Sequence, residues 1–249
     1  MKRGNLLFVL LCSIGMFFVS INARAAVNAD VAFVIDQSGS MGGEFAWLGN
    51  AISQIDGALS AGGVTSRYAV AGYEQLAGNE ASGGGYYASP YTIFNDFTSN
   101  VADITGAVNS ATVYGGLERG YHAADWSRTG FSWGTNAAKV IILITDEAAD
   151  QGSGISEAAL GANMTSGGYL LNVITFQNLF SQWDDAVYTN GTYQGLFDLD
   201  FLRTNPSDFT AQFTAAKLQE IKEAPVPEPG ALLLMGIGLL SLVGLRKRS

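Results

Sequence analysis

The stretch VAFVIDQSGS, residues 31–40, contains the pattern on which the fold prediction depends. Five apolar residues are followed by a carboxylate, two serine hydroxyls and a glycine. A second stretch, KVIILIT at residues 139–145, is apolar almost throughout and leads directly into Asp146. A continuous apolar run of this kind is typical of a parallel strand that helices cover on both faces. The two stretches therefore predict buried strands inside a helix-covered sheet.

Helical and extended patterns alternate along the rest of the chain. Residues 44–59 carry apolar side chains at helical spacing, and residues 206–222 begin with a proline, which suits the first position of a helix. Further helices are predicted at residues 101–110, 116–126 and 156–166, and further strands at 67–73, 91–97, 169–176 and 193–203. This order predicts an α/β fold with a doubly wound, mostly parallel sheet flanked by helices. The strand at 91–97 is expected to be an antiparallel edge strand.

Oxygen-bearing side chains follow the two buried strands. Asp36, Ser38 and Ser40 occupy alternate positions, so they project to one side of an extended segment, and Asp146 follows the second strand. Ligands of doubly wound sheets bind beyond the carboxyl ends of the strands, where the strand order reverses. One or two carboxylates with neutral oxygens are what Mg²⁺ takes, and Mn²⁺ or Ca²⁺ are alternatives. The sequence therefore predicts a site for a hard divalent cation.

Softer metals are disfavoured because the mature chain has no cysteine and only one histidine, His122. His122 lies in a predicted helix, where a packed or surface role is the ordinary one. A bland alternative exists for the serine-rich loop as well: Ser38 would cap the next turn and Asp36 would be a solvated strand end. Glu147, next to Asp146, is expected to point to solvent.

The two ends of the chain resemble export and anchoring segments. Residues 1–25 have a basic start, an apolar stretch and a small-x-small cleavage site, as secretory signal peptides do. Residues 230–245 form an uncharged apolar run of about 24 Å, which predicts a short transmembrane helix. The tail at 246–249 is basic and is expected to stay in the cytoplasm. A proline-rich linker, 224–229, precedes that helix, so the folded body is expected to span residues 26–223.

The folded body is strongly acidic. The full chain has a formal net charge of −9, and the two ends carry six of its 13 basic residues and none of its acidic ones. Residues 26–229, the body with its linker, therefore have seven basic and 22 acidic residues, a net charge of −15. Such a body repels nucleic acid and anionic lipid, and it lacks the basic stripe that phosphate binding needs. The single cysteine, Cys12, leaves with the signal peptide, so the body has no disulfide.

DQSGS after an apolar strand, a downstream threonine loop and the segment ILITD resemble the von Willebrand factor A domain. The resemblance covers roughly residues 29–222. It implies a metal-ion-dependent adhesion site in which Asp36, Ser38 and Ser40 are first-loop ligands, Thr112 is the second-loop ligand and Asp146 acts directly or through water. Ser110 is a rival for Thr112, because the small residues of that loop are displaced from the usual pattern. The resemblance also implies that a partner's carboxylate completes the coordination of the ion.

Residues 226–229, VPEP, followed by a short apolar helix and the basic Arg246-Lys247-Arg248, resemble a PEP-CTERM sorting signal. That resemblance implies a Gram-negative bacterium that makes exopolysaccharide, and processing by the membrane protease-transpeptidase exosortase. Pro227, Glu228 and Pro229 would be the recognition residues. A plain membrane anchor behind a proline spacer is the alternative.

These features favour an exported metal-dependent binding or adhesion protein of the envelope or exopolysaccharide matrix, and they do not favour an enzyme. Its partner would be a protein or an acidic polysaccharide. A passive matrix component with a vestigial metal site is the first alternative, and a hydrolase is the second. The sequence offers no nucleophile–base pair and no G-x-S-x-G elbow. Asp184 and Asp185 are paired acids, which a glycosidase needs, but acids adjacent in sequence usually diverge in space.

Overall fold

The structure is a computed structural model that describes residues 27–73, 91–113, 119–149, 154–191 and 193–224. The predicted signal peptide, the sorting-signal residues, the transmembrane helix and the basic tail lie outside these ranges. Within the described ranges, no helix combines the length and the apolar composition that a membrane crossing requires.

Eight strands and six α-helices make up the described chain. The strands are β1 (Val27–Asp36), β2 (Val64–Tyr73), β3 (Tyr91–Thr98), β4 (Ala138–Ile144), β5 (Tyr169–Thr175), β6 (Thr189–Asn190), β7 (Tyr193–Gln194) and β8 (Leu196–Asp198). The helices are α1 (Gly42–Ala61), α2 (Val101–Asn109), α3 (Gly120–Gly130), α4 (Glu157–Gly167), α5 (Leu199–Thr204) and α6 (Pro206–Glu223), and a 3₁₀ helix spans Gln177–Gln182.

Six strands form one sheet in the order β3-β2-β1-β4-β5-β8, and β6 pairs with β7 separately. Every neighbouring pair in the large sheet is parallel except β2 with β3, which is antiparallel. The prediction of a doubly wound, mostly parallel sheet with one antiparallel edge strand is therefore confirmed. The strand order reverses around β1, which lies between β2 and β4, and this is where a ligand site is expected.

Residues along β4 alternate between two apolar layers, as the continuous apolar run predicted. Val140, Ile142 and Ile144 pack into the layer under α1, α2 and α6, whereas Ile141 and Leu143 pack into the layer under α3 and α4. The sheet is therefore buried on both faces, which explains why the strand sequence shows no polar alternation.

β1 begins earlier than its apolar run, at Val27. The early part contains the buried Asp30, whose two carboxylate oxygens accept bonds from Arg67 of β2 at 2.8 and 2.6 Å. The Gly134 backbone N–H donates to the same carboxylate at 2.6 Å. Because this carboxylate is fully paired, a charged residue lies inside a strand that the apolar pattern alone placed at residues 31–36.

Two predicted elements differ from the structure. The strand predicted at 193–203 is only the short β7 and β8, and the rest is the helix α5. The Asp198 side chain accepts the backbone N–H of Asp200 and caps that helix, while Leu199 and Leu202 bury one face at helical spacing. The helix predicted at 116–126 is α3, which begins at Gly120 and ends at Gly130; residues 114–118 lie outside the described ranges.

The carboxyl end of α6 lies near the amino ends of β4 and β5, and therefore far from the carboxyl ends of β1 and β4. Ala224, which follows α6, lines a cleft together with Ala138 and Lys139 at the start of β4 and Tyr169 and Leu170 at the start of β5. The described chain therefore finishes beside the amino ends of the parallel strands.

Candidate functional site

Four of the predicted site residues meet at the carboxyl ends of β1 and β4. Asp36 ends β1, and Asp146 follows β4, which pairs with β1 in parallel register. The Ser38 and Ser40 hydroxyl oxygens lie 3.1 Å apart, and the Ser38 hydroxyl lies 3.5 Å from the Asp146 Oδ1. We call Asp36, Ser38, Ser40 and Asp146 the oxygen cluster.

Asp36 is fully buried at the base of the oxygen cluster. The Ser38 backbone N–H donates to its Oδ1 at 2.6 Å, and the Thr145 hydroxyl donates to its Oδ2 at 2.8 Å. Among the described residues, no cationic side chain pairs with this carboxylate. Burial therefore raises the pKa of Asp36 to about 7, against the lowering effect of these hydrogen bonds. A buried carboxylate with neutral donors on one side is a group that a bound cation would stabilise.

Thr112, the predicted second-loop ligand, is tied to the first loop through its backbone. Its carbonyl accepts the Gln37 side-chain N–H at 2.8 Å, and its own side chain is exposed. Ser110 ends α2, and its hydroxyl donates to the Ala107 carbonyl at 2.7 Å. Gln37 thus links the backbone of Thr112 to the loop that carries Ser38 and Ser40. The Ser110 hydroxyl is bonded to the last turn of α2.

Gly72 makes room for this connection. A Cβ at Gly72 would meet the Gln37 side chain at 2.2 Å, far inside normal contact distance. The residue opposite the first loop on β2 must therefore be small for Gln37 to reach Thr112. Nothing in the local sequence of β2 indicates this requirement, because the contact joins two separate strands.

Arg203 of α5 is a residue that the sequence analysis missed. Its guanidinium donates to the Asp146 Oδ2 at 3.0 Å and to the Oε1 of the buried Glu44 at 2.7 Å. It also lies 5.3 Å from the centre of the Phe176 ring. The Asp146 Oδ1 therefore faces the Ser38 hydroxyl, and its Oδ2 is paired with the Arg203 guanidinium. The segment of Arg203 was predicted as a strand, so its side chain was not expected here.

Two other residues considered in the sequence, Glu147 and His122, lie in different surroundings. Glu147 is half-buried instead of solvent-exposed, and its backbone N–H donates to the Thr145 hydroxyl at 3.0 Å. His122 of α3 contacts the Tyr91 hydroxyl and stacks on the Tyr91 ring, so it is a packed histidine. Burial lowers the pKa of His122, which favours its neutral form.

Asp184 and Asp185 do not diverge as expected. One carboxylate oxygen of each lies within 4.8 Å of the others in a group that Glu157 completes. The Asp185 backbone N–H donates to Glu157 at 2.8 Å, and burial together with the neighbouring acids raises the pKa of Glu157. Both aspartates are exposed. The group is separate from the oxygen cluster.

The fold is thus a doubly wound α/β domain with hydroxyl and carboxylate oxygens at the point where the strand order reverses, which is where ligands of such sheets bind. The family model of the von Willebrand factor type A domain matches residues 30–189, and the chain belongs to this family. A second model, the PEP-CTERM protein-sorting motif, matches residues 225–248. None of the curated proteins compared with the chain matches it.

Solved structures with the same fold include proximal thread matrix protein 1 from the mussel byssus. The form with a zinc-occupied MIDAS motif is 18% identical, with a TM-score of 0.54 over 76% of this chain. The match spans 46% of that protein's chain, so only about half of its length is covered. The vWF domain of the type V pili tip protein Mfa5 from Porphyromonas gingivalis is 15% identical, with a TM-score of 0.53 over 82% of this chain and 99% of that chain.

Proposed function

We propose that the chain is an exported, metal-dependent binding or adhesion protein of the bacterial envelope or exopolysaccharide matrix. The observation that supports this function most directly is the oxygen cluster itself. Asp36, Ser38, Ser40 and Asp146 meet above the sheet, and the buried Asp36 carboxylate has no cationic partner among the described residues. A site with these donors suits a hard divalent ion.

In this proposal the four residues of the oxygen cluster hold Mg²⁺, with Mn²⁺ or Ca²⁺ as alternatives, and Thr112 is the second-loop ligand. The ion, when bound, supplies a positive charge and a coordination position that a partner's carboxylate can fill. Thr145 and the Ser38 backbone N–H orient the Asp36 carboxylate by donating to its two oxygens. The zinc-occupied motif in the mussel matrix protein supports a divalent ion at the equivalent place in this fold.

The proposed location follows from the sorting motif. We propose that residues 1–25 direct export and that residues 26–223 are the functional domain. The linker 224–229, the helix 230–245 and the tail 246–249 then hold the protein in the membrane until exosortase acts at Pro227, Glu228 and Pro229. The match of residues 225–248 to the PEP-CTERM motif supports this order. The mature protein would reach the outer surface or the extracellular matrix of a Gram-negative bacterium.

The proposed partner is a protein, or an acidic polysaccharide, that offers a carboxylate. The net charge of −15 over residues 26–229 disfavours nucleic acid. The similar structures belong to a matrix protein and a pilus tip protein, and these support a binding role over catalysis.

A passive matrix role is the second candidate, and one contact favours it. The Arg203 guanidinium already neutralises one side of Asp146, so part of the oxygen cluster is paired without an ion. In a purely structural protein, the ion pair with Arg203 would be the role of Asp146.

A pull-down from the producing cell's envelope and matrix distinguishes the two. The full chain is used as bait with Mg²⁺ or with a chelator, beside Asp36→Ala and, as a matched control, Asp208→Ala, which removes an exposed carboxylate at the start of α6. We expect chelator and Asp36→Ala to abolish capture and Asp208→Ala to preserve it. Capture that survives both chelator and Asp36→Ala would contradict the proposed function.

A further inference from the structure

A second polar cluster, which the proposed function does not use, lies between β5 and α6. Its members are Asn172 of β5, Tyr193 of β7 and the pair Lys217 and Glu220 of α6, and we call it the lysine cluster. Asn172 is fully buried, and the side chains of Lys217 and Glu220 are 2% and 0% exposed. A lysine buried this completely is rare unless it has a specific partner.

The reactive groups of the lysine cluster contact one another directly. The Lys217 amine contacts both the Glu220 carboxylate and the Asn172 side-chain oxygen. The Asn172 side-chain N–H donates to the other Glu220 oxygen at 2.9 Å. One carboxylate therefore lies against both the amine of Lys217 and the amide nitrogen of Asn172, while the amine lies against the amide carbonyl.

The surroundings of Lys217 make it easier for its ammonium group to lose a proton. The Lys217 nitrogen lies 5.3, 5.0 and 5.7 Å from the ring centres of Tyr193, Phe197 and Phe213. In so apolar a layer the charged form is penalised, and burial lowers the pKa of Lys217 to about 8 despite the nearby Glu220. A desolvated, deprotonated lysine amine is a nucleophile.

The Tyr193 hydroxyl lies 2.9 Å from the Asn172 side-chain oxygen and 3.0 Å from a Glu220 oxygen, and it can donate its proton to either. Burial raises the pKa of Tyr193, so its hydroxyl keeps its proton. A donor at this position stabilises negative charge that develops on the carbonyl oxygen during attack on the amide carbon. Nucleophile, proton acceptor, electrophile and oxygen donor are thus present in one enclosed site.

We propose that Lys217 and Asn172 react with each other to form an intramolecular amide bond that joins α6 to β5. Glu220 first takes a proton from the Lys217 ammonium, and the neutral Nζ attacks Cγ of Asn172. Glu220 then gives its proton to Nδ2 and takes one from Nζ. The Cγ–Nδ2 bond breaks, ammonia leaves with the electron pair of that bond, and the carbonyl re-forms. The new bond is Nζ–Cγ, and Glu220 keeps the second proton, which it took from Nζ.

Trypsin digestion of the full, exported chain followed by mass spectrometry tests this bond. No Lys or Arg lies between Lys139 and Arg203, so Asn172 belongs to peptide 140–203, and Lys217 ends peptide 204–217. An acylated Lys217 is not cleaved. We expect one branched product of peptides 140–203 and 204–222, lighter by one ammonia than the two parts. Separate peptides 140–203 and 204–217 at full mass, from folded wild-type protein, would overturn the proposal.

Three variants assign the roles, with folding checked by circular dichroism. Lys217→Arg lacks the nucleophile and should give only separate peptides. Asn172→Asp would lose water instead of ammonia, so its branched product should have the same mass as that of the wild type. Folded Glu220→Gln should remain unlinked because it has no proton acceptor. A branched product from folded Glu220→Gln would overturn the role of Glu220, and the wild-type digest decides whether the bond exists.

Discussion

The oxygen cluster and the lysine cluster are both polar, but the oxygen cluster reaches the surface at Ser40 whereas Asn172, Lys217 and Glu220 of the lysine cluster are buried. The oxygen cluster concentrates carboxylates and hydroxyls at an edge of the sheet, and its deepest carboxylate, Asp36, has only neutral donors among the described residues. The lysine cluster contains its own partner for the buried Glu220 carboxylate, the Lys217 side chain. The oxygen cluster therefore suits a ligand from solution, whereas the groups of the lysine cluster can react only with one another. The four predictions below test this contrast.

The largest effect is expected where the lysine cluster is broken. Lys217→Ala leaves the buried Glu220 and Asn172 without their partner, and we expect a loss of about 3–5 kcal/mol in the free energy of unfolding. Lys222→Ala, an exposed lysine of the same helix, is the control and should change stability by less than about 0.5 kcal/mol. Denaturant titration measures both variants. Equal stability of the two variants would show that the cluster does not support the fold.

The next effect concerns the oxygen cluster and the Mg²⁺ that we propose it binds. At a free Mg²⁺ concentration about 100 times the Kd, binding adds about 2.7 kcal/mol to the free energy of unfolding. For a domain of this size, that corresponds to roughly 5–10 °C in Tm. Thermal unfolding with Mg²⁺ and with EDTA should show this difference for wild type and for Asp208→Asn, and no difference for Asp36→Asn. A Tm shift retained by Asp36→Asn would place the ion elsewhere.

A smaller effect should appear with pH when no ion is present. The Asp36 carboxyl keeps its proton up to about pH 7 in the folded protein, against a usual value of 3.8. The folded state therefore binds more protons than the unfolded state between these values, and stability falls as pH rises through this window. The contribution is up to about 1.4 kcal/mol per pH unit. Denaturation in EDTA should show a flatter pH dependence for Asp36→Asn; an unchanged slope would contradict this account of the buried carboxylate.

The smallest effect tests how much the charge of Arg203 weakens cation binding at the oxygen cluster. Its positive charge beside Asp146 opposes a second cation, so Arg203→Gln should tighten Mn²⁺ binding by roughly fivefold, or about 1 kcal/mol. Titration calorimetry measures the affinity. Arg128→Gln, which removes a guanidinium paired with Asp125, is the matched control and should leave the affinity unchanged. Weaker binding by Arg203→Gln would show that Arg203 supports the ion site.

The sequence predicted the parts of the molecule that depend on local pattern. The strand β4 was predictable because its burial on both faces leaves a continuous apolar run, and the first loop was predictable because Asp36, Ser38 and Ser40 are close in sequence. Arg203 was missed because its segment changes from strand to helix at Asp198, where a single cap decides the ending. Thr145 was not singled out, since a threonine at a strand end has no distinctive pattern.

The lysine cluster could not be predicted for a different reason. Lys217 and Glu220 are three residues apart on a helix, a spacing that normally indicates a solvated ion pair. Only the packing of α6 against β5 shows that both are buried and that Asn172, a polar residue in an apolar strand, faces them. Such a contact between distant segments leaves no periodic signal in either one.

The position of Ala224 beside the amino ends of β4 and β5 bears on how the domain is displayed. The oxygen cluster lies at the opposite pole, beyond the carboxyl ends of the parallel strands. In a protein tethered through residues 225–248, the oxygen cluster would therefore lie at the end of the domain away from the tether. Tension between a captured ligand and the tether would run through the sheet from pole to pole, and α6, the last helix before the tether, would be the first element to bear the load.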